Sequence, residues 1–126
     1  MTMSPTVCVV DDDVDIRDIL CDVLRFEGYD VLLASDGIEA LERLRALDHP
    51  CCLILLDLMM PRMNGWEFRR EQLEDPALAS IPVLLLTGAG GAAKTAEDLN
   101  TKGTLQKPVE LDSLLEAVAE NCNASA

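Results

Sequence analysis

Five short apolar runs recur along the chain, and a segment with helical spacing follows each of them. This alternation constrains the fold more than any single motif. Parallel strands need a long crossover between them, and a helix is the usual one. The strand-like runs are residues 6–10, 30–34, 52–56, 81–86 and 103–106. They are β-branched or leucine-rich with little alternation, the mark of strands covered on both faces. From Val14 to Phe26, Ile16, Ile19, Leu20, Val23 and Leu24 repeat at spacings of three and four, and Gly28 stands past the end as a stop. Ser35 or Asp36 caps the second helix, with Ile38, Leu41 and Leu44 on one side. A third helix over 65–73 follows Asn64-Gly65 and has weaker periodicity. A fourth, over 92–100, is short, and the last starts at Glu110 or Asp112, with Leu111, Leu114, Leu115, Val118 and Cys122 on one face.

Five such units make an α/β protein with a parallel sheet, and right-handed crossovers place helices on both of its faces. The 126 residues suit one domain, expected to span 1–126 with a core of about 6–121. No run is long enough to cross a bilayer, and the first residues lack a basic and apolar leader, so the expected location is cytoplasmic. A net charge of −13 argues against direct nucleic-acid binding. The five cysteines form no CxxC pair, and they read as small buried hydrophobes in a reducing compartment. His49 beside Cys51 and Cys52 is no recognised zinc spacing.

Ligands of such sheets bind beyond the carboxyl ends of the strands. The chemistry-bearing residues collect there. Asp11, Asp12 and Asp13 follow the first strand, Asp57 the third, Thr87 the fourth and Lys107 the fifth. Two unit charges about 4 Å apart at an effective dielectric near 20 interact by roughly 4 kcal/mol, so clustered carboxylates must protonate, separate or hold a cation. A hard divalent ion with oxygen ligands meets that need, and Mg²⁺ readily adds phosphate oxygens. Such an edge can accept a phosphoryl group, with Asp57 attacking, the cation and Lys107 neutralising the oxygens, and Thr87 bonding the product. Taken singly these residues say little: an acidic run is usually a loop or a cap, and Asp13 suits the positive end of the next helix. An EF-hand reading of Asp11, Asp13 and Asp15 fails because Ile16 stands where glycine is needed. Arg17 and Trp66 read as structural, and Met59, Met60 and Met63 as packing beside the loop.

Val-Val-Asp-Asp-Asp with Arg17 downstream, Leu-Leu-Asp-Leu-Met-Met-Pro-Arg-Met-Asn-Gly, Leu-Leu-Thr-Gly and Gln-Lys-Pro-Val occur in this order. Together they resemble the response-regulator receiver domain of two-component signalling, in particular the single-domain chemotaxis-type regulators, over residues 6–121. The resemblance implies a flavodoxin-like (β/α)5 fold with strand order 2-1-3-4-5. It implies that Asp57 is the phosphoacceptor and that Thr87 and Lys107 are the switch hydroxyl and the phosphate-contacting lysine. It further implies Mg²⁺ held by Asp12, by Asp11 directly or through water, by Asp57 and by the backbone carbonyl of Met59. The phosphoryl donor would be a histidine kinase or a histidine phosphotransfer protein, and the output a contact with a downstream protein. The domain would catalyse only its own phosphorylation and slow dephosphorylation. No output domain is expected in this chain.

Two other classes compete. One is a receiver-like adaptor that works without phosphorylation, and the complete set Asp11, Asp12, Asp57, Thr87 and Lys107 argues against it. The other is a small α/β phosphatase or nucleotide-binding enzyme, for which the sequence lacks a GxxxxGK[ST] loop and an Asp-x-Asp nucleophile. One departure from the family stands out. Three residues before Lys107, where many receivers carry Tyr or Phe, this chain has Thr104. With that relay missing, phosphorylation is expected to act by ordering the glycine-rich loop over 87–93.

Overall fold

A computed structural model describes residues 4–88 and 92–122. The elements alternate as the sequence predicts: β1 (Thr6–Val10), α1 (Val14–Phe26), β2 (Asp30–Ala34), α2 (Gly37–Ala46), β3 (Leu53–Asp57), α3 (Gly65–Glu74), β4 (Val83–Thr87), α4 (Ala92–Asp98), β5 (Thr104–Gln106) and α5 (Leu111–Cys122). All strand pairs are parallel, in the order β2-β1-β3-β4-β5. The third strand starts and ends one residue later than its apolar run, so Asp57 is itself the last strand residue, in register with Leu86. Pro82 falls just outside β4, where its missing N–H leaves the ladder intact.

Strand alternation splits the core in two. Cys8, Val10, Ile54, Leu56, Val83 and Leu85 face α2, α3 and α4. Val7, Val9, Leu53, Leu55, Leu84 and Leu86 face α1 and α5, which contribute Leu20, Leu24, Leu114 and Val118. The predicted helical faces are wider than the buried ones, because Ile19 and Leu111 remain exposed.

Helix α3 owes its weak apolar period to what it buries. Its inward residues are Gly65, Phe68, Arg69 and Gln72, of which only Phe68 is a large apolar side chain. Arg69 donates to the carbonyls of Leu99 and Asn100, just past α4, and to Gln72 Oε1 at 2.8 Å. Gln72 Nε2 donates in turn to the Leu78 and Ile81 carbonyls. The guanidinium and amide donors of this pair thus meet backbone or amide oxygens, and the amide oxygen of Gln72 accepts from Arg69.

The cysteine expectation holds in part. Cys8, Cys21 and Cys51 are free and buried. Cys52 and Cys122, read as packing residues, are instead joined in a disulfide across 70 positions. The apolar patterns around each thiol carry no sign that β3 and α5 bring the two together.

Candidate functional site

The site is assembled by backbone before any side chain acts. Asp11 continues the β1–β2 ladder by one bond, its N–H donating to the Ala34 carbonyl. Its carbonyl accepts from Arg17 Nη1 at 2.7 Å, which gives Arg17 the structural role the sequence suggests. Asp11 Oδ1 accepts the Asp13 N–H at 2.9 Å, and Asp13 caps α1 by accepting from the N–H groups of Asp15 and Ile16. Asp13 therefore serves the helix, while Asp11 and Asp12 turn toward the sheet edge.

Asp57 is held by the turn that follows it. The Met59 N–H donates to Asp57 Oδ1 at 3.4 Å, and the Gly65 N–H donates to the Leu58 carbonyl at 2.9 Å. At Gly65 a Cβ would stand 2.7 Å from the Asp57 carbonyl oxygen and 2.8 Å from Leu58 Cα, so only glycine lets α3 start this close to the acid. A capping box between Asn64 and Glu67 fixes the first turn of α3. The far side of the loop is tied to α2, through Arg62 Nε and Asp36 Oδ2 at 2.7 Å and through the Gly37 N–H and the Met63 carbonyl at 3.0 Å.

The sequence-predicted residues converge. One carboxylate oxygen each from Asp11, Asp12 and Asp57 lie within 4.8 Å of one another. Asp11 is fully buried and Asp57 is 6% exposed, whereas Asp12 faces solvent. Lys107 Nζ lies 2.8 Å from Asp11 Oδ2 and 3.5 Å from Asp57 Oδ1. The nearer contact pairs the ammonium with the buried Asp11 oxygen that has no other partner. The Lys107 N–H donates to the Thr87 carbonyl at 2.8 Å, which ties the hydroxyl-bearing and ammonium-bearing residues together, and the peptide bond that follows, to Pro108, is cis. Asp12, Asp57, Met59, Thr87 and Lys107 all line one cavity of about 580 Å³.

Burial raises the Asp57 carboxyl to about 6, and the charge of Asp11 adds to the effect against the pull of Lys107. Burial alone would lower Lys107. The neighbouring carboxylates outweigh it and hold the ammonium above its ordinary value. The donor set suits a hard divalent cation: it is all-oxygen, and three carboxylates converge against a single ammonium.

Two residues depart from the sequence reading. Trp66, taken as structural, is 41% exposed and borders the cavity, as does Met59, which is exposed instead of packed. Met60 and Met63 do pack against the core. Both departures come from α3 starting directly against the loop, which leaves its first turn at the rim. The middle of the glycine-rich loop expected to become ordered, residues 89–91, lies outside the described residues.

A doubly wound parallel sheet that presents three carboxylates, a hydroxyl and an ammonium at one edge is a switch-point site of the kind that handles phosphoryl groups. The chain belongs to the response regulator receiver domain family, whose profile matches residues 7–119. It is 42% identical over 115 residues to the response regulator MprA of Mycobacterium ulcerans, an alignment covering 90% of this chain and 48% of that protein. It is 39% identical over 82 residues to the transcriptional regulatory protein CpxR homolog of Haemophilus influenzae, covering 65% and 34%. The chain thus spans about half, or less, of the length of these relatives. In structure it is similar to the chemotaxis protein CheY4 of Vibrio cholerae, with a TM-score of 0.85, 29% identity and coverage of 94% of this chain and 99% of that one. A response regulator receiver protein from Pseudomonas putida gives 0.85, 27%, 95% and 99%. Its place is therefore that of a phosphoacceptor domain in two-component signalling. Among the described residues no helix is long and apolar enough to cross a membrane.

Proposed function

We propose that Asp57 is the residue that accepts the phosphoryl group, from a phosphohistidine on a kinase or phosphotransfer protein. The observation that carries the assignment is the position of its carboxylate, shared between the Lys107 ammonium and the buried Asp11. At neutral pH a carboxyl of about 6 is mostly ionised and needs no base. One Asp57 oxygen forms the new O–P bond as the imidazole N–P bond breaks, and the imidazole nitrogen takes its proton from solvent. Lys107 meets the phosphoryl charge, and the Thr87 hydroxyl, on the next strand, bonds the product. Asp11, Asp12, Asp57 and the Met59 carbonyl would hold Mg²⁺, which supplies further neutralisation of the phosphoryl oxygens when bound. The domain acts on itself alone, in the cytoplasm, and passes its state to a downstream protein. Residues 1–126 act as one receiver domain in this reading.

Incubation with a small acyl phosphate and Mg²⁺, read by intact mass, tests this. One added phosphoryl group on the wild type and none on Asp57→Asn is the expected result. An unlabelled wild type would favour a phosphorylation-independent adaptor, and equal labelling of the variant would remove Asp57 from its role.

A further inference from the structure

Burial divides the five cysteines. Cys8, Cys21 and Cys51 are free and at most 5% exposed. The other two, Cys52 and Cys122, are half-buried and bonded to each other. Adjacent cysteines just before β3 point to opposite faces of the sheet: Cys51 packs with Cys8 on the α2–α3 side, and Cys52 packs on the α1–α5 side. Only Cys52 can therefore meet α5, whose last residue is Cys122, at a Cα–Cα distance of 5.1 Å.

The bond grips a part of α5 that little else holds. The buried residues of this helix are Leu114 and Val118. Beyond Val118 no described residue of this helix is fully buried, and the Asn121 Nδ2 bond to the Ala117 carbonyl stays within the helix. The cleaved state is provided for as well. Cys52 Sγ stands 3.3 Å from the Thr6 carbonyl oxygen, an acceptor for the hydrogen that the sulfur carries once it is a thiol. Its own N–H already donates to that same carbonyl, so the β1–β3 pairing survives reduction.

We propose that Cys52–Cys122 is a reversible redox latch, operated by exchange with a small thiol–disulfide couple of the glutathione type, and that it decides whether the last turn of α5 stays on the sheet. Closing begins when the thiolate of one cysteine attacks a sulfur of the external disulfide and expels one small thiolate. The second cysteine, as thiolate, then attacks the protein sulfur of the mixed disulfide and expels the other. Two protein thiols are oxidised, one external disulfide is reduced to two thiols, and the two protons lost by the protein pass to the departing thiolates through solvent. Opening is the reverse. Half-burial leaves both sulfurs within reach of a small reagent, whereas the three buried thiols are shielded from it. Disulfides of this kind in reducing compartments are usually transient and redox-sensing.

The latch is independent of phosphoryl chemistry, so it is tested on the unphosphorylated 126-residue chain. Native protein is equilibrated in graded ratios of reduced to oxidised glutathione, acid-quenched, denatured and alkylated. Alkylation should rise from three cysteines to five as the buffer becomes reducing, with both gains mapping to Cys52 and Cys122. Hydrogen exchange over 119–122 should be about tenfold faster in the reduced protein. Cys52→Ser/Cys122→Ser should exchange as the reduced form does in either buffer. Five alkylated cysteines in every buffer, three in every buffer, or equal exchange in the two redox states would each overturn the proposal. The last comparison uses wild type alone and does not depend on the variant folding.

Discussion

Asp57→Asn should make the metal-free protein more stable at pH 8. Folding carries the Asp57 carboxyl from its ordinary 3.8 to about 6, chiefly by burial and then by the nearby Asp11 charge. At 1.36 kcal/mol per pKa unit, keeping it ionised in the folded state costs about 3 kcal/mol. The folded state binds this proton more tightly than the unfolded one, so the group favours folding at low pH, and that contribution is lost as pH rises from 4 through 6. Above 7 wild type bears the full cost, and asparagine, which has nearly the same shape, does not. Urea unfolding of both proteins in EDTA, from pH 4.5 to 8, reports mainly on this group, because titrations away from the cluster are common to the pair and cancel. The stability gap between variant and wild type should widen by about 2 kcal/mol between pH 4.5 and pH 8. A gap that stays flat, or narrows as pH rises, would show that neither burial nor Asp11 burdens the carboxylate. Added Mg²⁺ should close much of the gap at pH 8, since the cation offsets charge only where wild type has it.

Lys107→Ala strands the fully buried Asp11 carboxylate and should cost about 3 kcal/mol in metal-free protein, read from the urea midpoint. Phe68→Ala empties the centre of the α3 face and should cost about 3–5 kcal/mol in the same assay. Gly65→Ala forces backbone apart at the Asp57 carbonyl and should cost about 1–3 kcal/mol, with slower acyl-phosphate labelling because the acid is displaced. Trp66, the single tryptophan, borders the cavity, so Mg²⁺ should change its fluorescence in the wild type and much less in Asp12→Asn.

The sheet and its edge were legible because both rest on local pattern. The apolar strand runs mark burial on two faces, and the position just past each run is a property of the sequence alone. Asp11, Asp12, Asp57, Thr87 and Lys107 were therefore within reach of a reader with no coordinates. What escaped depends on contacts between distant segments. The pairing of Cys52 with Cys122 requires knowing which face each residue of β3 presents and where α5 ends. Trp66 read as structural, yet the close start of α3 leaves it at the rim of the cavity. Ile19 satisfies the periodicity of α1 yet is 55% exposed, because a helical stripe wider than the sheet beneath it leaves its margin in water. The weak pattern of α3 had its cause in plain sight but not in a readable form: Arg69 and Gln72 occupy inward positions that a hydrophobicity count scores as surface.

That pair of polar residues also restricts how the chain can vary. Arg69 gives its hydrogens to two carbonyls and to Gln72, and Gln72 gives its own to two more carbonyls. Removing the arginine leaves the buried Gln72 Oε1, and the part-buried Leu99 and Asn100 carbonyls, without this donor. Removing the glutamine leaves the Ile81 carbonyl and one guanidinium hydrogen without it, while the Leu78 carbonyl keeps the Ile81 N–H, and each buried orphan costs about 1–3 kcal/mol. A stepwise route through either single change descends into a deep valley of stability, while a simultaneous exchange for two apolar side chains does not descend nearly as far. Descendants of this sequence should therefore carry both residues or neither, and the two positions are inherited as one character.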